Sequence, residues 1–166
     1  MNAPPPVEDI HIRPMEPADL QIVQDIDQAS FSQPWPARSF AFEMQNNPAA
    51  RMWVAEAGDE NGTVQVCAML VVWLVIDEAH IGTIAVHPNF RRRGIGRKLL
   101  LHGLQKLQAQ GARSVYLEVR RSNTAAQSLY REFGFSLTTV RTGYYQDNGE
   151  DALILTLHHL ETIDLS

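Results

Sequence analysis

Between His87 and Leu100 the chain reads HPNFRRRGIGRKLL, where Arg91, Arg92, Arg93, Arg97 and Lys98 place five cations within eight residues. Gly94 and Gly96 are threaded between them. A cluster of this kind suits nucleic acid, a solvated helix face or a phosphate group. The segment follows a strand pattern and opens a helical one. At such a junction backbone N–H groups lack partners, and the helix dipole adds partial positive charge. Glycine lets the backbone approach a ligand without a Cβ in the way. With flanking arginines, the junction meets the needs of a diphosphate. The motif G-x-x-x-x-G-K-[ST] is absent, and G94-I-G96 lacks the third glycine of the dinucleotide fingerprint.

The remaining charges narrow the choice. The chain carries a net charge of -5, and outside the cluster nine basic residues face 19 acidic ones. A duplex-binding protein spreads its cations along a face, because affinity grows with the number of phosphates neutralised. One cluster in an acidic body favours a compact polyanion there and a cationic partner elsewhere, with no direct nucleic-acid binding. The single cysteine, Cys67, lies in the apolar run VQVCAML; it excludes an internal disulfide, suits a reducing compartment and reads as an inert core thiol. No histidine has metal-ligand spacing, and the pair His158-His159 reads as solvated. The start MNAPPPVEDI has neither a basic nor an apolar signal region. The longest apolar run, CAMLVVWLVI, is ten residues, too short to cross a bilayer as a helix. These features predict a cytoplasmic protein without membrane or metal.

The elements that must position the loop follow from periodicity. At 166 residues and 45% hydrophobic, the chain suits one domain. We expect a loose proline-rich start over 1–10, a domain over 11–160 and a tail over 161–166. HIRPME is a first strand, and Pro17 opens a helix with Leu20, Val23 and Ile26 on one stripe. A second helix follows FSQPWP, with Pro36 in its first turn and Phe40 and Met44 on one face. RMWVAEA, a GDENGT turn, VQVCAMLVVWLVI, a DEAH corner and IGTIAV form a three-strand meander. The helix after the loop carries Leu100, Leu104 and Leu107 and stops at Gly111. SVYLEVR alternates, with Val115, Leu117 and Val119 facing away from Tyr116, Glu118 and Arg120. Ser122 or Asn123 caps a helix that ends at Gly134. SLTTVRTGYY, a DNGED turn and DALILTL form a final hairpin. The unit IGTIAV, helix, SVYLEVR makes its two strands parallel neighbours within a mixed α/β sheet.

The pattern R-x-x-G-x-G after a strand ending in I-A-V-x-P resembles the acyl-CoA pyrophosphate loop of the GCN5-related N-acetyltransferase (GNAT) superfamily. LEVRRSNTAAQSLYREFGF, GYYQDNGEDALIL and FSQPWPARSF resemble its ribosomal-protein alanine N-acetyltransferase (RimI) branch. The resemblance covers most of the chain and is strongest from Asp77 to Leu157. It implies a single-domain GNAT fold, with a mixed, mostly antiparallel sheet of about seven strands splayed at a central parallel pair and helices on both faces. It implies acetyl-CoA as acetyl donor. Ile84, Ala85 and Val86 would contact pantetheine and the acetyl carbonyl through their backbone. Arg91 would open the diphosphate loop, and Arg92, Arg93, Gly94, Ile95, Gly96 and Arg97 would wrap the diphosphate. Asn123 would contact the cofactor from its cap position, although capping alone also accounts for it.

The resemblance also names an acid and a base. An α-amine has a pKa of about 7.7–8.0 against about 10.4 for lysine, so its neutral form is less costly at pH 7. Glu118 is the implied base. Taken alone, a glutamate between Leu117 and Val119 reads as a surface or paired carboxylate, and carboxylates are weak bases without burial or a water relay. Tyr130 is the implied acid for the departing thiolate; periodicity alone makes it a core aromatic beside Ala126, Leu129 and Phe133. A backbone N–H near Val86 would stabilise the oxyanion. Tyr144 and Tyr145 would hold the acceptor's backbone, although such a pair is also ordinary strand composition. Thr83 stands where the branch often has asparagine, and PWP replaces PWS, both near the implied acceptor entrance. The expected activity is acetylation of a protein α-amine, by resemblance the N-terminal alanine of a small-subunit ribosomal protein. Lysine side chains, polyamines or another small amine are alternative acceptors. A non-catalytic acyl-CoA-binding module is the remaining alternative, and the presence of Glu118 and Tyr130 argues against it.

Overall fold

Strands covered on both faces read as continuous apolar runs, whereas a strand with one open face alternates. Both patterns occur in this chain, described over residues 9–58 and 61–166 by a computed structural model. The proline-rich start through residue 8 and Asp59-Glu60 of the first expected turn lie outside the described residues. The elements are β1 (His11–Pro14), α1 (Leu20–Ser30), α2 (Ser39–Asn46), β2 (Ala50–Gly58), β3 (Val64–Val75), β4 (Glu78–Val86), α3 (Ile95–Ala109), β5 (Ser114–Arg120), α4 (Thr124–Glu132), β6 (Ser136–Arg141) and β7 (Ala152–Leu157). They build one seven-stranded sheet in the order β1-β2-β3-β4-β5-β7-β6. Contacts fall into two compact units, one holding the described residues up to Val72 with Thr83–Leu104, the other Trp73–Gly82 with Gln105–Ser166.

In the first unit, β1 pairs antiparallel with β2 from His11↔Glu56 to Pro14↔Trp53. The stripe predicted for α1 buries Val23 and Ile26 against Phe40 of α2 and against Val54, Met69, Val71 and Ala85 of the sheet. Trp35 stacks on Phe40 with ring centroids 4.8 Å apart. The Asp27 carboxylate accepts the Trp35 amide at 2.7 Å and so ties the α1–α2 connection to α1. Burial pushes its carboxyl above the usual range. With Trp35 held there, the chain turns once more, Ser39 N–H donating to the Pro36 carbonyl, before α2 opens. Pro36 therefore precedes that helix instead of sitting in its first turn.

In the second unit, β4 and β5 run parallel, as the crossover predicts, in register from Glu78↔Ser114 to His80↔Tyr116. β5 then pairs antiparallel with β7, which is buried along its whole length and has β6 on its other side. The tail is docked: Gln105 donates to the Leu165 carbonyl and Gln108 to those of Leu160 and Ile163, while Leu160 and Leu165 are buried.

Two boundaries differ from expectation. The corner between β3 and β4 is Ile76-Asp77, so Glu78, Ala79 and His80 belong to β4. Ile76 takes the left-handed φ of 57° that a tight hairpin needs and is 91% exposed. A β-branched residue rarely adopts that conformation, so the apolar run carried no turn signal. The second difference is at β6, which ends at Arg141; Tyr144 and Tyr145 belong to the loop before β7.

Gly82 of β4 is required by a close approach. A Cβ there would lie 2.6 Å from Cη2 and 2.7 Å from Cζ3 of Trp73. Gly58, by contrast, has open space around that position. We expect Gly82→Ala to cost about 1–3 kcal/mol and lower Tm by roughly 3–10 °C, with Gly58→Ala near wild type, in thermal unfolding followed by circular dichroism.

Candidate active site

The basic loop lies between β4 and α3. Left-handed backbone at Arg92 (φ 63°) and Gly94 (φ 76°) curls it tightly, and Lys98 N–H donates to the Gly94 carbonyl to begin α3. The preceding amides of the first turn have no intrahelical carbonyl to bond. Its cations divide by task. Arg91 donates from Nε to the Val86 carbonyl at 3.0 Å and from a terminal nitrogen to the Ser30 hydroxyl at 3.1 Å. It is a strap from the loop to the end of α1. Arg93 folds over the Phe90 ring at 5.4 Å, and its Nε is buried without a hydrogen-bond partner among the described residues. An orphaned guanidinium N–H next to a helix start is a donor that a phosphate oxygen would satisfy. The loop therefore fits the diphosphate of acetyl-CoA. Gly96 lies under Val86, where a Cβ would meet Cγ2 at an ordinary 3.5 Å.

Alternation along β4 buries Ala79, Ile81, Thr83 and Ala85 and leaves His80, Gly82, Ile84 and Val86 half-buried. Thr83 is thus turned inward, and its Oγ1 has no partner among the described residues. An acceptor at this position would meet its backbone before its side chain. Nearby Cys67 is fully buried, and burial pushes its thiol up to about 11, so it stays protonated. Among the described residues, no group of three His, Cys, Asp or Glu side chains could hold a metal, and no helix is long and apolar enough to cross a membrane.

Glu118 of β5 is half-buried with Tyr116 and Arg120 on the face opposite Val115, Leu117 and Val119, as its strand pattern predicts. Its Oε2 lies 2.6 Å from His80 Nε2. His80 was hidden from the sequence reading because DEAH reads as a corner. Extending β4 back to Glu78 puts His80 on the same alternating face as Gly82 and Ile84.

On α4, the Asn123 side chain accepts the Ala126 amide at 3.2 Å, fulfilling its cap role. Gln127, a second residue the sequence did not flag, is buried because it donates to the Arg120 and Arg121 carbonyls and ties α4 to the end of β5. Tyr130 is buried, and its ring meets Phe135 at 5.6 Å. Desolvation, with a smaller effect from Tyr145, raises its phenol above the ordinary range, so it remains protonated at neutral pH.

The tyrosine loop is fastened by charge. Arg120 pairs with Asp147 at 2.9 Å and Glu150 at 3.3 Å, Arg121 with Asp151 at 3.2 Å, and Ser122 N–H donates to Glu150 at 2.6 Å. Hydrogen bonds from Ser122, with Arg120 adding to them, lower the Glu150 carboxyl to about 2. The Arg120 guanidinium also covers the Tyr145 ring at 3.9 Å. Burial pushes the Tyr145 phenol up to about 12. Tyr144 meets Tyr145 edge-on and stays 44% exposed, so it is the open member of the pair.

Comparison with known proteins shows the family. Residues 20–135 match the Acetyltransferase (GNAT) family. The chain is 36% identical over 148 residues to the [ribosomal protein bS18]-alanine N-acetyltransferase of Escherichia coli (strain K12), covering 88% of this chain and 95% of that protein. A Bacillus subtilis (strain 168) protein that carries the same name provisionally is 38% identical over 144 residues, 87% of this chain and 92% of its own. The crystal structure of the Escherichia coli ribosomal-protein-S18-alanine N-acetyltransferase superposes with a TM-score of 0.80 at 34% identity, over 91% of this chain and 94% of that one. The chain belongs to the GNAT acetyltransferase family.

Proposed function

We propose that this chain transfers the acetyl group of acetyl-CoA to the free α-amine of a protein N-terminus, namely the alanine of ribosomal protein bS18, in the cytoplasm with its ribosomal substrate. The observation that carries the reading is the likeness to the named Escherichia coli enzyme along 95% of its length. The acidic body suits a basic ribosomal partner, and residues 11–160 form the acetyltransferase domain. With Arg91 tied to Val86 and Ser30 and Arg93 folded over Phe90, the loop suits one bound diphosphate rather than a nucleic-acid backbone.

Acetyl-CoA supplies the acetyl group as a thioester. The loop residues Arg92 to Arg97 would hold its diphosphate, and the backbone of Ile84, Ala85 and Val86 would contact its pantetheine arm. The acceptor nitrogen begins with three protons as an ammonium and ends with one as an amide. Glu118 takes the first, freeing the lone pair that forms the N–C bond. As the C–S bond breaks, Tyr130 gives its proton to the departing thiolate, and the second proton leaves the nitrogen through solvent and restores the phenol. A phenol held protonated by burial suits that donor role. Tyr144 contacts the acceptor backbone, and the pinned loop sets its position.

Incubation with acetyl-CoA and a peptide panel tests the reading, with mass spectrometry locating the product. Acetylation of the α-amine of an alanine-starting peptide, and none when that amine is blocked, is expected. Product only on lysine or polyamine overturns it, and CoA binding without any turnover reduces the chain to a binding module. Glu118→Gln and Tyr130→Phe should each lower kcat by about 10²-fold or more with little change in acetyl-CoA Kd. For the loop, Tyr144→Ala should raise the peptide KM roughly three- to tenfold, equivalent to one lost contact of about 1 kcal/mol. Glu150→Gln should act in the same direction, and both should leave the acetyl-CoA KM unchanged in steady-state assays.

A further inference from the structure

His80 has no role in the chemistry just described, yet its imidazole is held from three sides. It stacks on Tyr116 with ring centroids 4.3 Å apart and planes 10° from parallel. It meets Trp73 at 5.2 Å, and Gly82 makes room for that indole. Its Nε2 lies 2.6 Å from Glu118 Oε2, with 25% of the His80 side chain and 17% of that of Glu118 accessible. A nitrogen lone pair and a carboxylate oxygen approach this closely only with a proton between them, so Nε2 carries the hydrogen. The second carboxylate oxygen, Oε1, is left to receive a proton.

We infer that His80 is a positioning residue for Glu118, fixing its carboxylate through Nε2–H so that Oε1 meets the acceptor ammonium. The inference rests on the reading of Glu118 as the base. In the step it serves, an N–H bond of the acceptor ammonium breaks and its electron pair stays on nitrogen. The proton bonds to Glu118 Oε1, while neutral His80 keeps its hydrogen bond to Oε2. The pair goes from one negative charge to none. Among the described residues, Glu78 of β4 and Arg141 at the end of β6 act with Glu118 on Tyr116 of β5, and Glu118 also acts on Tyr145 of the β6–β7 loop. Trp73 brings no ionisable group from β3.

The test compares wild type with His80→Ala, His80→Gln, Glu118→Gln and the His80→Ala/Glu118→Gln double variant, using acetyl-CoA and an alanine-starting peptide. Thermal unfolding is measured for each. Glutamine can donate to Oε2 but does not titrate. His80→Ala should lower kcat about tenfold or more with acetyl-CoA KM unchanged, as expected for a misplaced base. His80→Gln should recover most of kcat at pH 8. In the Glu118→Gln background, His80→Ala should add no further loss. Wild-type kcat and pH profile in His80→Ala, with Glu118→Gln impaired, would overturn the role of His80 and leave that of Glu118 standing. An unimpaired Glu118→Gln removes the base assignment and the His80 role with it. A loss that glutamine does not rescue and that adds to Glu118→Gln marks His80 as structural and overturns the inference.

Discussion

A β-strand offers alternate side chains to opposite faces, and β4 is where that constraint governs most of this molecule. Its inward set, Ala79, Ile81, Thr83 and Ala85, is buried, and its other set, His80, Gly82, Ile84 and Val86, is half-open. Gly82 admits the Trp73 indole, His80 meets Glu118, and Val86 offers its carbonyl to Arg91. A slip of one residue would exchange these sets and put an imidazole into the core. The tight corner at Ile76-Asp77 sets the start of that register, and Asp77 accepts the Arg113 amide just before β5.

Charge is used internally more than the composition suggests. Asp147, Glu150 and Asp151 are engaged by Arg120, Arg121 and Ser122 and hold the loop that carries Tyr144. Within the basic segment, Arg91 straps the loop to α1 and Arg93 lies over Phe90. Part of the electrostatic asymmetry that draws the eye in the sequence is therefore scaffolding. The same contacts place the open tyrosine and shape the loop that fits a diphosphate.

Much of the fold was legible because local rules and tertiary packing agree. The α1 stripe, the leucines of α3, the alternation of β5 and the Asn123 cap all appear as periodicity and capping predict. Boundaries were misread where a residue acts against its usual preference. Ile76 turns in a left-handed conformation, Pro36 stands ahead of its helix, and the tyrosines follow β6 without belonging to it. The candidate site was legible only as motifs: the glycine-threaded arginines, the glutamate in its strand and the tyrosine in its helix.

The sequence by itself determined most of the elements, the glycine-threaded basic loop and the family resemblance, because periodicity, capping and short motifs act over a few residues. Tertiary structure alone decided which partners those residues meet. His80 and Glu118 are 38 positions apart and bond only because β4 and β5 run parallel in a register that puts His80 opposite Tyr116. Arg91 reaches Ser30 across 61 positions, and Arg120 reaches Glu150 across 30. Pairings at such separations depend on strand register and loop closure, which no local pattern encodes.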